Sequence, residues 1–112
     1  IRYMHIPTKD CITERYQIHG SRKNPDFSDP LYVYGTDADE IRNLVASSPA
    51  MAEKLHPDYA YTVGEVTWLV RNEMPRTLED VLARRLRILF LDARAAMAMA
   101  PKVATRLGPL LR

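Results

Sequence analysis

The sequence predicts a small all-α domain, an orthogonal or irregular bundle of about five helices that follows an extended N-terminal connector. Two observations support this fold class. From Thr36 onward, apolar residues recur at the three- and four-residue spacing of helices. Before Thr36, proline and glycine are frequent and no helical period is sustained. We therefore divide this single domain into residues 1–35, a connector from a part of the protein outside this sequence, and residues 36–112, the helical domain.

The connector contains apolar residues that we expect to fix it to the core. They are Tyr3, Ile6, Ile12, Tyr16 and Ile18. The most polar stretch is 20–30, GSRKNPDFSDP. Its Gly, Pro, Asn, Asp and Ser residues favour turns, so this stretch predicts a surface loop.

Two helices are predicted directly after the connector. Thr36 and Asp39 have the spacing of a capping box, which predicts a first helix over about residues 37–47. Ser48 is a favourable N-cap, and Pro49 suits the first helical position. This pair predicts a short second helix of two turns.

A third helix is predicted between Thr62 and Met74. Its apolar stripe has i, i+3, i+4, i+7 spacing and consists of Val63, Val66, Thr67 and Val70. Trp68 and Leu69 widen the buried face. Pro75 follows Met74 and ends the helix.

The segment from Arg76 to Met99 predicts the central helix of the domain. Thr77 and Asp80 give it a capping-box start, and its middle is apolar nearly all round. If continuous, it needs other helices packed around it. Pro101 is expected to close it and to open a last helix, which the Gly-Pro pair at 108–109 ends or kinks early.

Positive and negative charges are segregated along the chain. From residue 76 onward there are seven Arg and one Lys against three acidic residues, whereas residues 36–75 contain seven acidic residues against three basic ones. The two halves can neutralise each other within one fold. This disfavours a basic face that binds phosphate or nucleic acid. No apolar run approaches the roughly 20 residues that span a bilayer.

Three arginines lie beside the apolar run, and they allow two interpretations. They are Arg84, Arg85 and Arg87. Guanidinium groups could form a fork for phosphate or carboxylate, because they make bidentate hydrogen bonds. Alternatively, Arg84 and Arg85 pair with Glu65 or Glu73 on the preceding helix, as part of a structural ion-pair cluster. We favour the structural cluster, because the two glutamates lie roughly on one helical face.

No residue pattern predicts a catalytic, cofactor-binding or metal site. His5, His19 and His56 are scattered, and the single Cys11 has no histidine forced beside it. With four glycines and no glycine-rich signature, the chain offers no loop to cradle a phosphate. One cysteine fits a reducing, cytoplasmic setting.

The aromatic residues also allow two interpretations. They are Trp68, Tyr32, Tyr34, Tyr59 and Tyr61. They could form a stacking platform for nucleic-acid bases. Because they lie at helical and turn positions beside apolar residues, we favour packing in the core.

Several segments resemble one protein family in the same order along the chain. They are CITE at 11–14, IHG at 18–20, YGTDADEI at 34–41, LHP at 55–57, YTVGEVTWLVRNEM at 61–74 and TLEDVLARRLRILFLDARAAMAMAPKV at 77–103. Together they resemble the C-terminal helical domain of the FAD-dependent glycerol-3-phosphate dehydrogenases of aerobic or mitochondrial type and of the related glycerophosphate oxidases. Pro75 and the pair at 108–109 depart from the family pattern.

The resemblance implies a longer parent enzyme. Such enzymes oxidise sn-glycerol 3-phosphate to dihydroxyacetone phosphate and pass electrons through FAD to a quinone, at the cytoplasmic face of a membrane to which they bind peripherally. The flavin and substrate sites belong to the N-terminal part, from which residues 1–35 would connect. We therefore expect that this chain is a non-catalytic C-terminal domain, which holds no cofactor and is inactive alone. Its expected partners are the N-terminal FAD and substrate domain of the same protein and a second copy in a homodimer.

A different class of function stays open beside this one. The chain could be a free-standing helical binding module that uses its arginine-rich helix on nucleic acid or anionic lipid. The charge segregation argues against nucleic acid as a partner.

Overall fold

The protein is described by a computed structural model that covers residues 9–111. Its α-helices are α1 (Ala38–Ser47), α2 (Pro49–Ala52), α3 (Val63–Glu73), α4 (Ile88–Leu91) and α5 (Ala93–Leu110). A 3₁₀ helix (Tyr32–Asp37) precedes α1, and a π-helix (Asp80–Arg85) precedes α4. Residues 9–111 contain no β-strand beyond one isolated bridge. The predicted all-α class is confirmed, with five α-helices.

Helix α3 is the buried centre of the domain. Every residue from 63 to 70 is buried, and the helix packs against α1, α2 and α5. Thr62 caps its start by accepting a hydrogen bond from the Glu65 N–H at 3.2 Å. Met74 ends it in the left-handed conformation with φ 47°, directly before Pro75. The predicted third helix and its end are confirmed.

The core surrounds α3 with buried side chains from α1, the π-helix, α4, α5 and the segment between α2 and α3. Those with at most 3% of their surface exposed include Ile41, Leu55, Val81, Ile88, Met99 and Val103. Burying one such side chain stabilises the fold by about 1.5–3 kcal/mol.

Helix α1 has nearly the predicted bounds, but the predicted capping box of Thr36 and Asp39 does not form, since Asp37 is the N-cap and makes no side-chain capping bond. Helix α2 has one turn where we expected two. Ser48 does cap α2, since its Oγ accepts from the Met51 N–H at 3.4 Å. After Ala52 the backbone becomes extended, because the Leu55 N–H bonds to the Tyr61 carbonyl at 3.0 Å. This hydrogen bond to the segment before α3 replaces the second helical turn.

The prediction of one continuous helix from Arg76 to Met99 is wrong. Arg87 adopts a left-handed conformation with φ 60°, and Asp92 is extended with φ −153°. The Asp92 carboxylate accepts hydrogen bonds from the Ala95 N–H at 3.0 Å and from the Tyr59 hydroxyl at 2.9 Å. Asp92 therefore starts α5 as an N-cap, and this competes with an unbroken helix.

The predicted helix end at Pro101 is also wrong. Helix α5 runs through Pro101, Gly108 and Pro109 to Leu110. A proline inside a helix removes one backbone hydrogen bond and costs about 3 kcal/mol. The buried face continues across it with Ala95, Ala96, Met99, Val103 and Leu107. Burial of this face offsets the cost, so tertiary packing overrides the local signal.

The connector does not bury the apolar residues that we expected to anchor it. Ile12, Tyr16 and Ile18 are 63%, 66% and 74% exposed, while Tyr3 and Ile6 lie outside the described residues. The stretch 20–30 is exposed except at Gly20 and Asp29, which are half-buried, and this confirms the predicted surface loop.

A backbone contact between two glycines attaches the connector instead. The Gly20 carbonyl accepts from the Thr36 N–H at 3.1 Å, and His19 Nε2 lies 2.8 Å from Asp37 Oδ2. Gly35 has φ 56° and ψ −122°, and a Cβ atom there would lie 1.6 Å from the Gly20 carbonyl oxygen. We call residues 19–20 and 35–37 the connector clamp. It requires glycine at position 35.

Replacing Gly35 by alanine should therefore destabilise the protein strongly. Strain at positive φ and the clash with the Gly20 carbonyl together should cost about 3 kcal/mol. Urea unfolding measures this as a fall in the free energy of unfolding.

Gly108→Ala is the matched control. Gly108 lies in α5, and a Cβ atom there meets no side chain within 4 Å other than those of its chain neighbours. This change should alter the free energy of unfolding by less than about 1 kcal/mol, because the higher helix propensity of alanine is opposed by the contact of its Cβ with the ring of Pro109. Equal stability of the two variants would contradict the clamp.

Candidate functional site

The structure brings together only part of the predicted ion-pair cluster. Arg85 Nε lies 2.8 Å from Glu73 Oε2, and Arg85 also donates to the Glu73 carbonyl at 3.2 Å. This pair joins the π-helix to the end of α3. Arg84 instead contacts Asp80 at 2.7 Å and Glu79 at 3.5 Å, within its own segment.

Glu65 lies in the core and forms no pair with either arginine. It is 3% exposed, and its Oε1 accepts a hydrogen bond from the Tyr34 hydroxyl at 2.5 Å. Burial raises the pKa of Glu65 to about 7, and the hydrogen bond from Tyr34 opposes this rise only in part. The pKa of Tyr34 is also raised, by burial and then by the charge of Glu65.

Tyr34 and Glu65 belong to a wider network that joins three helical segments. The rings of Tyr34 and Trp68 meet edge to face, with centroids 5.4 Å apart. The indole N–H of Trp68 donates to Glu40 Oε2 at 3.0 Å. The network thus links the 3₁₀ helix, α3 and α1, and it adjoins the connector clamp through Gly35.

Two further tyrosines pack where the central helix was expected to be continuous. The rings of Tyr59 and Tyr61 are stacked with centroids 6.1 Å apart, and the Tyr61 hydroxyl donates to the Leu86 carbonyl at 3.2 Å. Tyr34, Tyr59 and Tyr61 all contact the core cluster. This favours core packing for these tyrosines over a stacking platform. Tyr32 differs, because it is 42% exposed and contacts Phe27.

Sequence reasoning missed the Tyr34–Glu65 pair, although two signals marked Glu65 as a residue that needs a hydrogen-bond partner. Glu65 stands inside an apolar run, where an unpaired carboxylate is costly. Thr62 and Glu65 also have the T-x-x-E spacing of a capping box. Nothing local identifies Tyr34 as the partner, since it lies 31 positions earlier.

The glycines do not form a cradle for a dinucleotide. Gly20 and Gly35 pack against each other, and a Cβ atom on Gly64 would lie 2.7 Å from Val45 Cγ2. These close approaches are already filled by the protein itself, so these three glycines do not line a nucleotide pocket.

Residues 9–111 offer neither a group of metal ligands nor a membrane-spanning helix. Over that range, no three His, Cys, Asp or Glu side chains are grouped closely enough to hold a metal ion. No helix there is long and apolar enough to cross a membrane.

The titration of Glu65 should make the free energy of unfolding fall as pH rises. The pKa is raised on folding, so the folded state binds more protons between about pH 4.5 and 7. Stability from this group is fully present below about pH 4.5 and is lost as pH approaches 7, a change on the order of 3 kcal/mol. Urea unfolding at several pH values measures it.

Glu65→Gln should remove this slope while it keeps an acceptor for Tyr34. Glu79→Gln is the control, because the Glu79 side chain is 67% exposed and should leave the slope intact. A slope between pH 4.5 and 7 that persists in Glu65→Gln would show that another group causes it.

Comparison with known proteins places the chain in a family. A family model described as the C-terminal domain of alpha-glycerophosphate oxidase matches residues 11–112. The chain is 30% identical over 120 residues to a probable mitochondrial glycerol-3-phosphate dehydrogenase of Dictyostelium discoideum, covering 93% of the chain and 19% of that protein. A probable mitochondrial glycerol-3-phosphate dehydrogenase of Caenorhabditis elegans is 40% identical over 60 residues, covering 54% of the chain and 8% of that protein.

A plant relative agrees with these two. The mitochondrial glycerol-3-phosphate dehydrogenase SDP6 of Arabidopsis thaliana is 24% identical over 127 residues, covering 87% of the chain and 20% of that protein. The chain therefore spans at most about a fifth of the length of these relatives. No solved structure gave a significant match. Since the family model covers nearly the whole chain, the chain belongs to the family of C-terminal domains of alpha-glycerophosphate oxidase.

Proposed function

We propose that this chain is the non-catalytic C-terminal domain of a flavin-dependent glycerol-3-phosphate dehydrogenase. The observation that supports this best is the family match over residues 11–112, together with relatives of about five times the matched length. The longer protein would oxidise sn-glycerol 3-phosphate to dihydroxyacetone phosphate and pass electrons through FAD to a quinone. We also propose that the longer protein attaches peripherally to the cytoplasmic face of a membrane and that it forms a homodimer.

The geometry of the domain supports a structural role. Its buried and half-buried polar groups bond to one another, as Tyr34 does to Glu65 and Tyr59 does to Asp92. Gly20, Gly35 and Gly64 are packed against protein atoms where a nucleotide would need open backbone. The FAD and substrate sites would therefore lie in the N-terminal part, and this domain would pack against that part.

The alternative is a free-standing module that binds nucleic acid or anionic lipid through its arginines. Arg85 and Lys102 are engaged by Glu73 and Glu53, and Arg84 by the acids of its own segment. These pairs reduce the positive charge that a phosphate backbone would meet. The ion pairs therefore favour the structural role over this alternative.

Purification of two proteins tests the proposal, namely the 112-residue chain and the longer protein that contains it. The longer protein should show flavin absorbance and should reduce a quinone analogue when glycerol 3-phosphate is added. The 112-residue chain should show neither, because it lacks the flavin site. Quinone reduction by the 112-residue chain, or a longer protein that does not oxidise glycerol 3-phosphate, would overturn the proposal.

The same samples distinguish the alternative function. A binding module should bind duplex DNA, RNA or vesicles with anionic phospholipid, with an affinity that falls steeply as salt increases. We expect no such binding by the 112-residue chain.

A further inference from the structure

Helix α4 leaves three consecutive large apolar side chains in solvent. Leu89, Phe90 and Leu91, which we call the α4 corner, are 37%, 75% and 73% exposed. Ile88 in the same turn is fully buried at 0%. A single helical turn of four apolar residues can face the core on one side only. Adjacent exposed apolar side chains of this size are typical of interaction surfaces.

The backbone on both sides holds the α4 corner in a fixed position. Arg87 precedes it in the left-handed conformation, and Ile88 anchors it in the core. Asp92 follows it, with its carboxylate bonded to the Ala95 N–H and the Tyr59 hydroxyl. A preformed surface loses little conformational entropy when a partner covers it.

Two arginines flank the α4 corner and remain available to a partner. Arg87 and Arg94 are exposed, and neither forms an ion pair with another residue in the range 9–111. This differs from Arg84 and Arg85, whose guanidinium groups are paired within the domain. A partner with matching chemistry is apolar at its centre and carries carboxylates at its rim.

We infer that the α4 corner packs against the N-terminal part of the same longer polypeptide, on an apolar face rimmed by carboxylates. This inference rests on the proposed function, in which such a part exists. Two relatives are about five times as long as the region that matches this chain, so most of the available surface lies in that part. The connector clamp holds residues 19–20 on the helical domain, which keeps the linking chain short. Tethering gives the two parts an effective concentration in the millimolar range, which favours this partner over a second copy or a lipid surface.

A photo-crosslinker at position 90 of the longer protein tests this inference. Phe90→p-benzoylphenylalanine places the reactive group in the α4 corner, and mass spectrometry after irradiation identifies what it contacts. We expect a crosslink within one polypeptide to a residue that precedes Ile1. Adding Leu91→Asp should lower the yield several-fold, because a carboxylate would face the acidic rim.

Val33→p-benzoylphenylalanine is the matched control, since Val33 is 66% exposed but lies on the 3₁₀ helix away from the α4 segment. Its yield of the same crosslink should be much lower. A crosslink from position 90 to a second copy, to lipid or only to residues of these 112 would overturn the inference, as would no crosslink.

Activity of the same preparation separates this inference from the proposed function. If the protein oxidises glycerol 3-phosphate but position 90 gives no crosslink to the N-terminal part, the packing inference alone fails. If the crosslink forms but glycerol 3-phosphate is not oxidised, the packing stands and the proposed reaction fails.

Discussion

The hydrogen bond between Tyr34 and Glu65 is the constraint on which the arrangement of this domain depends. Glu65 lies in the first turn of the most buried helix, where a carboxyl group is costly unless it is bonded. Tyr34 supplies that bond from the 3₁₀ helix, and its ring also packs against Trp68. Because Gly35 follows directly, the same interaction positions the clamp that attaches the connector. One buried pair therefore couples the core to the segment that would lead to the rest of the protein.

Polar and apolar side chains of the domain are used in different ways. Buried or half-buried polar groups, such as Glu65, Tyr61 and Asp92, bond within the domain and determine where segments begin and end. The surface instead shows exposed apolar side chains at the α4 corner and along the connector. This division is what a domain needs when its function is to pack against a larger protein.

Sequence reasoning predicted the class and the first three helices, because the apolar periodicity of α1 and α3 and the Ser48 cap of α2 are local signals. It failed at Asp92 and Pro101, where distant residues decide the outcome. Tyr59 bonds to Asp92 across 33 positions and helps to break the expected helix, while the buried face of α5 carries the helix through Pro101. The pairing of Arg85 with Glu73 could be predicted from the sequence, because both residues flank one inter-helix turn. The partner of Glu65 could not be predicted in this way.

A double-mutant cycle between Tyr34→Phe and Glu65→Met measures the central constraint directly. Each single change leaves one buried polar group without its partner, whereas the double variant removes both groups. We predict that the double variant loses less stability than the sum of the single losses, by about 1–3 kcal/mol in urea unfolding at pH 7. Additivity within about 0.5 kcal/mol would contradict the account, because it would show that the two side chains do not stabilise each other.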